Sequence, residues 1–410
     1  MTETNHDLTM ASHEAMTCPF DTYDAMREQS PAYLDAATGM FVVTRYDDLR
    51  EVMGNPAVFS NKFGIAAMRT GVSEQIDQMN EEAGIHHAEV LVTSDPPRHK
   101  SHRTMVDKVF SSRRVREMEP AISHLIDELI AAFPEGPFDF HDHFAMLLPM
   151  RIIADQLGLP RDRYDDFKRW SDASVDTADP SRSPEKQLED ARTTIEMRSF
   201  FIKEINKARE NPSDNLLSAL ANAENDDGET LTPNELSLLL QVVLAAGNET
   251  TTHALGSAVL RLAQDPELQT NLRDGPDMIP TFIEEVLRLD APLQGLFRRA
   301  TQDTRIGDVP IPAEAMINIR FGAGNRDPEQ FPFPANLDME RGRTNHLTFG
   351  FGIHHCIGSQ LARAEMRIAF EKLLDGSKEI RLEDVSDAIL RRPHFLAYGP
   401  RKLMLEFDRA

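Results

Sequence analysis

The sequence contains few cysteines and no long apolar run. Cys18 and Cys356 are its two cysteines, fewer than a secreted protein of 410 residues stabilised by disulfides would carry. No stretch of about 18 consecutive apolar residues occurs, which argues against a membrane-spanning helix. Residues 1–16 have neither a basic start nor an apolar core and do not resemble a signal peptide. These absences predict a cytoplasmic protein without a membrane anchor.

Basic residues are also scarce. The chain has 44 Lys and Arg residues against 67 Asp and Glu residues, and the resulting net charge of −23 argues against nucleic acid as a partner. Residues 98–116 are an exception, with seven basic residues and one acidic residue. Such an island favours contact with an acidic protein or with the anionic groups of a ligand.

A glycine-rich segment, residues 349–358, presents a single cysteine. Its glycines permit backbone conformations and close approaches that other residues disfavour. Cys356 precedes a predicted helix that runs from Ser359 to about Leu374, and the N–H groups at a helix N-terminus stabilise a thiolate. A thiolate beside a flat glycine platform suits the axial position of an iron macrocycle. A simple turn with a buried cysteine is the alternative that this segment alone leaves open.

A long central helix is predicted over residues 232–264. It begins with a capping box at Thr232 and Glu235, and at 1.5 Å per residue it spans about 48 Å. Its middle is apolar until residues 247–252, where a glycine and a glutamate precede three threonines. Glycine and a buried charge are both costly there, and threonine hydroxyls can bend the helix. This pattern favours a kinked functional site over an ordinary core helix.

The rest of the chain reads mainly as helices joined by short strands. Residues 40–44 form a β-rich run, and residues 120–133 show helical spacing of apolar side chains. We expect a hairpin between residues 308–312 and 315–320, and a final hairpin over residues 394–407. Length alone would allow two or three domains.

The cysteine segment resembles the haem-binding loop of the cytochrome P450 family at every defining position: Phe349, Gly350, Gly352, His354, Cys356 and Gly358. Residues 246–251 are similar to the oxygen-activation motif of that family. The resemblance extends over nearly the whole chain and implies a mainly α fold with small β-sheets. It implies one haem domain, residues 21–410, after a flexible arm, residues 1–20.

By this resemblance, Cys356 ligates the iron of a non-covalent haem b, Thr250 hydrogen-bonds the bound oxygen and Glu249 supplies protons. The implied haem-binding residues are His99, Arg103, Ala246, Arg298, Phe349, His354, Cys356 and Gly358. Arg299 is a close rival of Arg298 as a partner of the haem propionates. A charge network of Glu285, Arg288 and Arg341 is expected to hold the cysteine loop. Expected pocket residues are Phe63, Ile65, Val243, Leu293, Gln294, Leu296, Phe297, Phe395 and Leu396.

The implied activity is insertion of one oxygen atom from O2 into a hydrophobic small molecule such as a terpenoid, steroid, fatty acid or aromatic compound. Electrons are expected from a separate [2Fe–2S] ferredoxin served by a ferredoxin reductase. Two alternatives stay open, namely a peroxide-using peroxygenase and a haem-thiolate sensor without catalysis. A zinc site at His354, His355 and Cys356 is disfavoured because adjacent side chains splay apart.

Overall fold

Helices make up most of the chain in the computed structural model, which describes residues 8–62, 71–86, 88–177, 182–342 and 344–410. The helices are α1 His13–Thr17, α2 Phe20–Gln29, α3 Tyr46–Gly54, α4 Ser73–Glu82, α5 Arg98–Val109, α6 Ser112–Ala131, α7 Leu147–Gln156, α8 Tyr164–Asp176, α9 Pro184–Glu210, α10 Leu216–Ala221, α11 Pro233–Gln264, α12 Pro266–Asp274, α13 Ile279–Leu289, α14 Phe321–Gly324 and α15 Ser359–Asp375.

Within the described ranges, short strands form three small sheets. The strands are β1 Ala32–Asp35, β2 Met40–Val43, β3 Phe59–Ser60, β4 Phe138–Asp139, β5 Leu296–Ala300, β6 Thr304–Ile306, β7 Val309–Ile311, β8 Met316–Ile319, β9 Ser377–Leu382, β10 Ile389–Leu390 and β11 Lys402–Arg409. The largest sheet has the order β1-β2-β8-β5-β3, and its β2–β8 pair is parallel. Strand β11 pairs with β4, β9 and β10, while β6 pairs with β7. The mainly α fold with small sheets is therefore confirmed.

Helix α11 is the central element. Thr232 and Glu235 form the predicted capping box, and the helix runs for 32 residues to Gln264, as expected. Leu236, Leu239, Leu240 and Leu244 of its first half belong to one hydrophobic cluster. Its second half, with Leu255 and Val259, belongs to another. Helix α11 therefore packs into one cluster on each side of its middle.

Helix α6 begins earlier than the sequence analysis predicted. It starts at Ser112 and contains Pro120 within its length, with the Ser111 side chain accepting a hydrogen bond from the Arg114 N–H. Proline removes one helical hydrogen bond, which favours a helix start. Here the buried apolar face outweighs that loss, because Val115 already belongs to the same face as Ile122.

Both predicted hairpins have other partners. Strand β7 pairs with β6 across Gly307, whereas β8 joins β5 and β2 in the large sheet. Residues 394–401 precede β11 without pairing to it, since β10 is the neighbouring short strand. Strand pairing depends on which faces need burial, which local composition does not reveal.

The described part of the N-terminal region is attached to the sheet. Met10 is buried, and its N–H donates to Asp35 Oδ2 at 2.9 Å. Residues 1–7 lie outside the described residues. Among the helices within the described ranges, none combines the length and apolar character needed to span a membrane.

Candidate functional site

The cysteine loop is shaped by two glycines. Gly350 and Gly352 both have φ of +71°, a conformation that glycine adopts without steric cost. A Cβ at position 352 would lie 3.0 Å from the Met53 carbonyl oxygen, so this glycine also permits close approach of α3. The Cys356 N–H donates to the Phe349 carbonyl at 2.8 Å and closes the loop. Sequence reasoning located this loop correctly because its signal is local.

Cys356 is exposed, although protein atoms surround its thiol. Burial raises the pKa of the thiol, while the N–H groups of Gly358 and Ser359 and the guanidinium groups of Arg103 and Arg363 act in the opposite direction. These donors and cations stabilise sulfur as a thiolate once a metal ion takes the place of its proton.

Imidazole and guanidinium groups cluster beside the loop. The rings of His99 and His354 lie 4.2 Å apart, and His354 Nε2 is buried without a hydrogen-bond partner. Burial lowers the pKa of His354 to about 3, with further lowering by His99, Arg298 and Arg103. A cluster of this kind disfavours additional positive charge and favours an anionic ligand.

Arg298 contributes a deeply buried cation to this cluster. Burial lowers its pKa to about 10, and only distant Asp95 acts against that effect. Its Nη1 donates to the Phe297 carbonyl at 2.7 Å, and within the described chain it forms no ion pair. Arg299 points to the other face of β5 and pairs with Glu314 at 3.0 Å. Strand alternation thus places Arg298, not Arg299, beside His354.

Arg103 links α5 to the cysteine loop. Its Nη1 donates to the His355 carbonyl at 2.7 Å, and its Nε donates to Asp107 at 2.8 Å. The predicted residues His99, Arg103, Arg298 and His354 are therefore brought together from three separate segments.

The middle of α11 has an open edge. Ala246 and Gly247 are exposed although the helix is buried on both sides, and a Cβ built on Gly247 would have no neighbour within 4 Å. The Thr250 hydroxyl donates to the Ala246 carbonyl at 2.6 Å. Back-bonding of this kind bends helices. Ala246 and Gly247 therefore form an exposed groove edge on α11, and the Thr250 hydroxyl lies one helical turn beyond it.

Glu249 lies off this edge and is buried. His253 Nε2 is 3.1 Å from its Oε1, and Arg401 donates to the same oxygen. Burial opposes ionisation, but the hydrogen bond with His253 and the nearby charges of Arg401 and His394 outweigh it and lower the pKa of Glu249 to about 2. The structure thus places one guanidinium and one imidazole against the side chain of the predicted proton donor. Sequence reasoning missed Arg401, which has no motif of its own.

The predicted charge network is present. Arg288 donates to both oxygens of Glu285, at 2.8 and 2.9 Å, and Arg341 Nε lies 3.2 Å from the same carboxylate. Arg288 is fully buried, and it also donates to the carbonyls of Asn325, Pro334 and Asn336. This network fixes the chain that leads to the cysteine loop.

A second network, which sequence reasoning missed, braces the loop from the helix that follows it. Arg363 donates to both oxygens of Glu284, at 2.6 and 2.9 Å, and its guanidinium lies 4.3 Å from the centre of the Phe349 ring. His346 Nε2 is 3.2 Å from Glu284. Burial opposes ionisation, but Arg363 and His346 lower the pKa of Glu284 to about 2.

The predicted pocket residues fall into different environments. Val243, Leu293 and Leu296 are half-buried, whereas Phe297, Phe395 and Leu396 belong to a hydrophobic cluster with Tyr23 and Met26. Gln294 is also buried. Its Oε1 accepts from Tyr23 at 3.0 Å, and its Nε2 donates to Ala291 at 2.6 Å. Because both ends of the Gln294 amide are bonded within the protein, the prediction that it anchors a substrate is not supported. Phe63 and Ile65 lie outside the described residues.

These features fit a haem. An accessible thiol at a helix N-terminus suits an iron ligand, and the unpartnered His354 nitrogen and the buried Arg298 suit two propionates. The described residues contain no group of three His, Cys, Asp or Glu side chains arranged to hold a metal ion.

Comparison with known proteins gives the same family. A cytochrome P450 family model matches residues 177–279 and 277–376. The chain is 33% identical to cytochrome P450 107B1 of Saccharopolyspora erythraea over 388 residues, which is 93% of each protein. It is 31% identical to vitamin D(3) 25-hydroxylase of Pseudonocardia autotrophica, with 93% of this chain and 92% of that protein covered.

Solved structures agree. Cytochrome P450 CYP109Q5 from Chondromyces apiculatus superposes with a TM-score of 0.86 at 33% identity, covering 98% of this chain and 99% of that one. Because one structure with this fold covers 98% of the chain at 33% identity, the chain has a single-domain fold. The chain therefore belongs to the cytochrome P450 family, and it is a cytochrome P450 monooxygenase.

Proposed function

We propose that this monooxygenase binds haem b through Cys356 and oxidises a hydrophobic small molecule with electrons from a ferredoxin. The observation that carries the proposal is the pairing of an exposed cysteine, whose sulfur accepts from the Gly358 and Ser359 N–H groups, with the Arg298 guanidinium and the His99 and His354 imidazoles. When bound, the haem supplies oxygen activation and the oxidising power. The chain supplies ligation, orientation and protons.

The haem-binding roles follow from position. Cys356 would hold the iron, while His99, Arg298 and His354 would receive the propionates, with Arg103 linking α5 to the loop. Hydrogen bonds from backbone N–H groups to the sulfur moderate its charge and tune the bound metal. Ala246 and Gly247 would leave room for the flat face of the ring beside α11.

Two residues of α11, Thr250 and Glu249, would take part in the reaction with oxygen. The Thr250 hydroxyl at the groove edge would donate a hydrogen bond toward the reacting oxygen, and Glu249 would replace the proton that Thr250 passes on. The hydroxyl is already ordered by its bond to Ala246, 2.6 Å long, so it must rotate away from that carbonyl to act. Proton transfer needs groups within hydrogen-bond reach in sequence from solvent to substrate.

A hydrophobic substrate is supported by the expected pocket residues Val243, Leu293 and Leu296, whose apolar side chains are half-buried. The related vitamin D(3) 25-hydroxylase is named for its action on vitamin D(3). A terpenoid, steroid, fatty acid or aromatic compound fits this lining. A panel of these classes, screened for the absorbance change that follows displacement of iron-bound water, identifies which class binds.

An acidic electron carrier is supported by charge. Lys100, Lys108 and Arg116 are exposed on α5 and α6, on a protein of net charge −23. Arg103 connects this surface to the cysteine loop. We propose a [2Fe–2S] ferredoxin with its reductase as the donor, because complementary charge steers such encounters.

The ligation proposal is tested by spectroscopy. The reduced, CO-bound protein is expected to show the red-shifted Soret band of thiolate ligation, and Cys356→Ser is expected to lose it. Cys18→Ser is the matched control and is expected to keep it. A normal band in the Cys356 variant, or no band in the unmodified protein, would contradict the proposal.

Turnover distinguishes the alternative functions. Product formed with ferredoxin, reductase and NAD(P)H supports a monooxygenase. Product formed with hydrogen peroxide alone supports a peroxygenase. Oxygen consumed without product across the substrate panel supports a sensor.

A further inference from the structure

Helix α5 borders a second cleft, which its haem-side residues do not line. This α5 cleft has a volume of about 780 Å³ and lies between α5 and residues 225–235, which comprise the turn before α11 and the start of that helix. His99 and Arg103, which contact His354 and His355 of the cysteine loop, are absent from its lining. The α5 cleft is therefore distinct from the haem site.

The buried part of the α5 cleft is apolar apart from one imidazole. Met105 and Leu231 are buried there, and His102 is only 5% exposed. His102 Nδ1 is buried and accepts or donates no hydrogen bond within the described chain. Burial and the nearby Arg98 guanidinium lower the pKa of His102, so the ring is neutral at pH 7. A neutral imidazole has one acceptor nitrogen, which can receive a ligand N–H group.

The exposed part of the cleft is acidic. Three exposed carboxylates of the lining form no ion pair with any described residue: Asp226, Asp227 and Glu229. The lining has two cations, and one of them, Arg98, is already paired with Glu235. Exposed Lys100 is the other. Unpaired negative charge therefore exceeds unpaired positive charge, which favours a cationic ligand.

Hydrogen bonds hold the acidic turn against α5. Asn225 Oδ1 accepts from the Asp227 and Glu229 N–H groups at 2.9 and 2.8 Å. Asn225 Nδ2 donates to Ser101 Oγ of α5 at 3.0 Å. Because these bonds already order the turn, a ligand binding there would lose little affinity to ordering of the chain.

The lining also distinguishes between kinds of cation. The described residues contain no group of three His, Cys, Asp or Glu side chains that could hold a metal ion, and the volume far exceeds that of one ion. A longer molecule with several ammonium groups matches the separate carboxylates. Its methylene groups can cover apolar side chains while its charged groups stay at the exposed rim, as lysine side chains do on protein surfaces.

We propose that the α5 cleft binds a linear aliphatic polyamine. Its ammonium groups lie against Asp226, Asp227 and Glu229, and one N–H group donates to His102. Its methylene groups pack on the apolar part of the lining. The contact requires no haem chemistry, so its failure would leave the proposed function intact.

Spermidine binding to the reduced, CO-bound protein tests the proposal. In that state CO is bound to the iron, so an amine does not coordinate there. We expect one site with a Kd of about 0.1–1 mM at low ionic strength, measured by isothermal titration calorimetry. The double variant Asp226→Asn/Asp227→Asn is expected to bind about fivefold more weakly, because exposed ion pairs are individually weak.

The matched control is Asp274→Asn/Asp277→Asn. These two exposed carboxylates lie at the end of α12 and in the turn that follows it. The control is needed because a protein of net charge −23 attracts polyamines over its whole surface. It changes the net charge by the same amount as Asp226→Asn/Asp227→Asn, and its affinity for spermidine is expected to equal that of the unmodified protein.

Lys100→Gln distinguishes a cationic from an anionic ligand. Removing this like charge is expected to tighten spermidine binding by about twofold. A site for anions would respond in the opposite direction, because the same substitution removes its one unpaired cation. Inorganic phosphate is the probe for that alternative.

NMR of ¹⁵N-histidine-labelled protein in the CO-bound state reports on the buried imidazole. The His102 ring resonances are identified by their absence from His102→Gln. Spermidine is expected to shift them with the midpoint that calorimetry gives, and to require a higher concentration in Asp226→Asn/Asp227→Asn.

Three results would overturn the proposal. Equal spermidine affinity in the two double variants would mean that net charge alone attracts the polyamine. Phosphate binding that is tighter than spermidine binding, and is weakened by Lys100→Gln, would make the cleft an anion site. His102 resonances that stay in place at saturating spermidine would place the polyamine elsewhere.

Discussion

Gly352 and Gly39 have nearly the same backbone conformation in different surroundings. Their φ angles are +71° and +70°, but a Cβ at 352 would lie 3.0 Å from the Met53 carbonyl, whereas at 39 nothing lies within 4 Å. We expect Gly39→Ala to lose about 1–2 kcal/mol through left-handed strain alone. Gly352→Ala should lose more stability than Gly39→Ala, and it should also bind less haem. Urea unfolding and haem content per protein measure both effects, and equal losses would contradict the steric argument.

Arg298 and Arg299 offer a second comparison between single residues. Arg298 is buried beside His354, whereas Arg299 pairs with Glu314 on the opposite face of β5. A hydrogen bond to a charged group contributes about 1.5–3 kcal/mol. We therefore expect Arg298→Gln to weaken haem binding at least tenfold and Arg299→Gln to leave it unchanged. Rates of haem transfer to apomyoglobin test this, and a comparable loss in both variants would refute the assignment.

The sequence indicates single functional residues most directly where a motif surrounds them. Cys356 and Thr250 lie in motifs whose neighbours share the same function. The choice between Arg298 and Arg299 depended on strand alternation, which composition did not reveal. Arg401 was missed because it meets Glu249 across 152 positions in the chain. Contacts at such separation follow from the packing of whole elements.

At the scale of elements, α13 is tied to the chain before the cysteine loop by Arg288. This side chain is fully buried and donates to Glu285 and to three backbone carbonyls. Removing one partner of a buried ion pair costs about 3–5 kcal/mol because the other charge is left unpaired. We expect Arg288→Met to lose that much stability, measured by chemical denaturation.

The matched control is Arg381→Met in the exposed pairs of β9. Arg381 contacts Glu379 at 2.7 Å and Glu406 at 3.0 Å, with its side chain 44% exposed. Exposed pairs contribute about 0–1 kcal/mol. A similar loss in both variants would show that burial does not determine the strength of the α13 network.

The boundaries of helices were predicted correctly where the sequence contains residues typical of helix ends. The capping box and the following proline defined the start of α11, and the helix expected from Ser359 after the cysteine loop is α15. Helix α6 was shortened because Pro120 resembled a helix start, although its apolar face continues through that residue. The hairpin partners were wrong because β8 is buried between β5 and β2. Pairing of that kind is decided by the sheet as a whole.

At the scale of the whole molecule, the acidic composition coexists with carboxylates that depend on buried cations. Glu249 and Glu284 both have pKa values lowered to about 2 by their partners. A carboxylate whose pKa is lower in the folded state contributes stability that is full above its unfolded pKa. That contribution is lost as pH falls toward the folded pKa. Lowering the pH should therefore destabilise both the core around Glu249 on α11 and the Glu284–Arg363 contact that supports the cysteine loop.

Glu284→Gln tests this dependence. The pKa of Glu284 falls from 4.5 to about 2 on folding, and a shift of that size corresponds to about 3 kcal/mol at neutral pH. The unmodified protein should exceed the variant in stability by up to that amount at pH 7. The difference should shrink as pH falls below about 4.5, because protonated glutamate resembles glutamine. Glu74→Gln, which alters an exposed carboxylate on α4, should show no such convergence. Denaturant midpoints between pH 7 and pH 3.5 measure the difference directly, and a gap that stays constant with pH would mean that Arg363 and His346 do not stabilise the ionised form of Glu284.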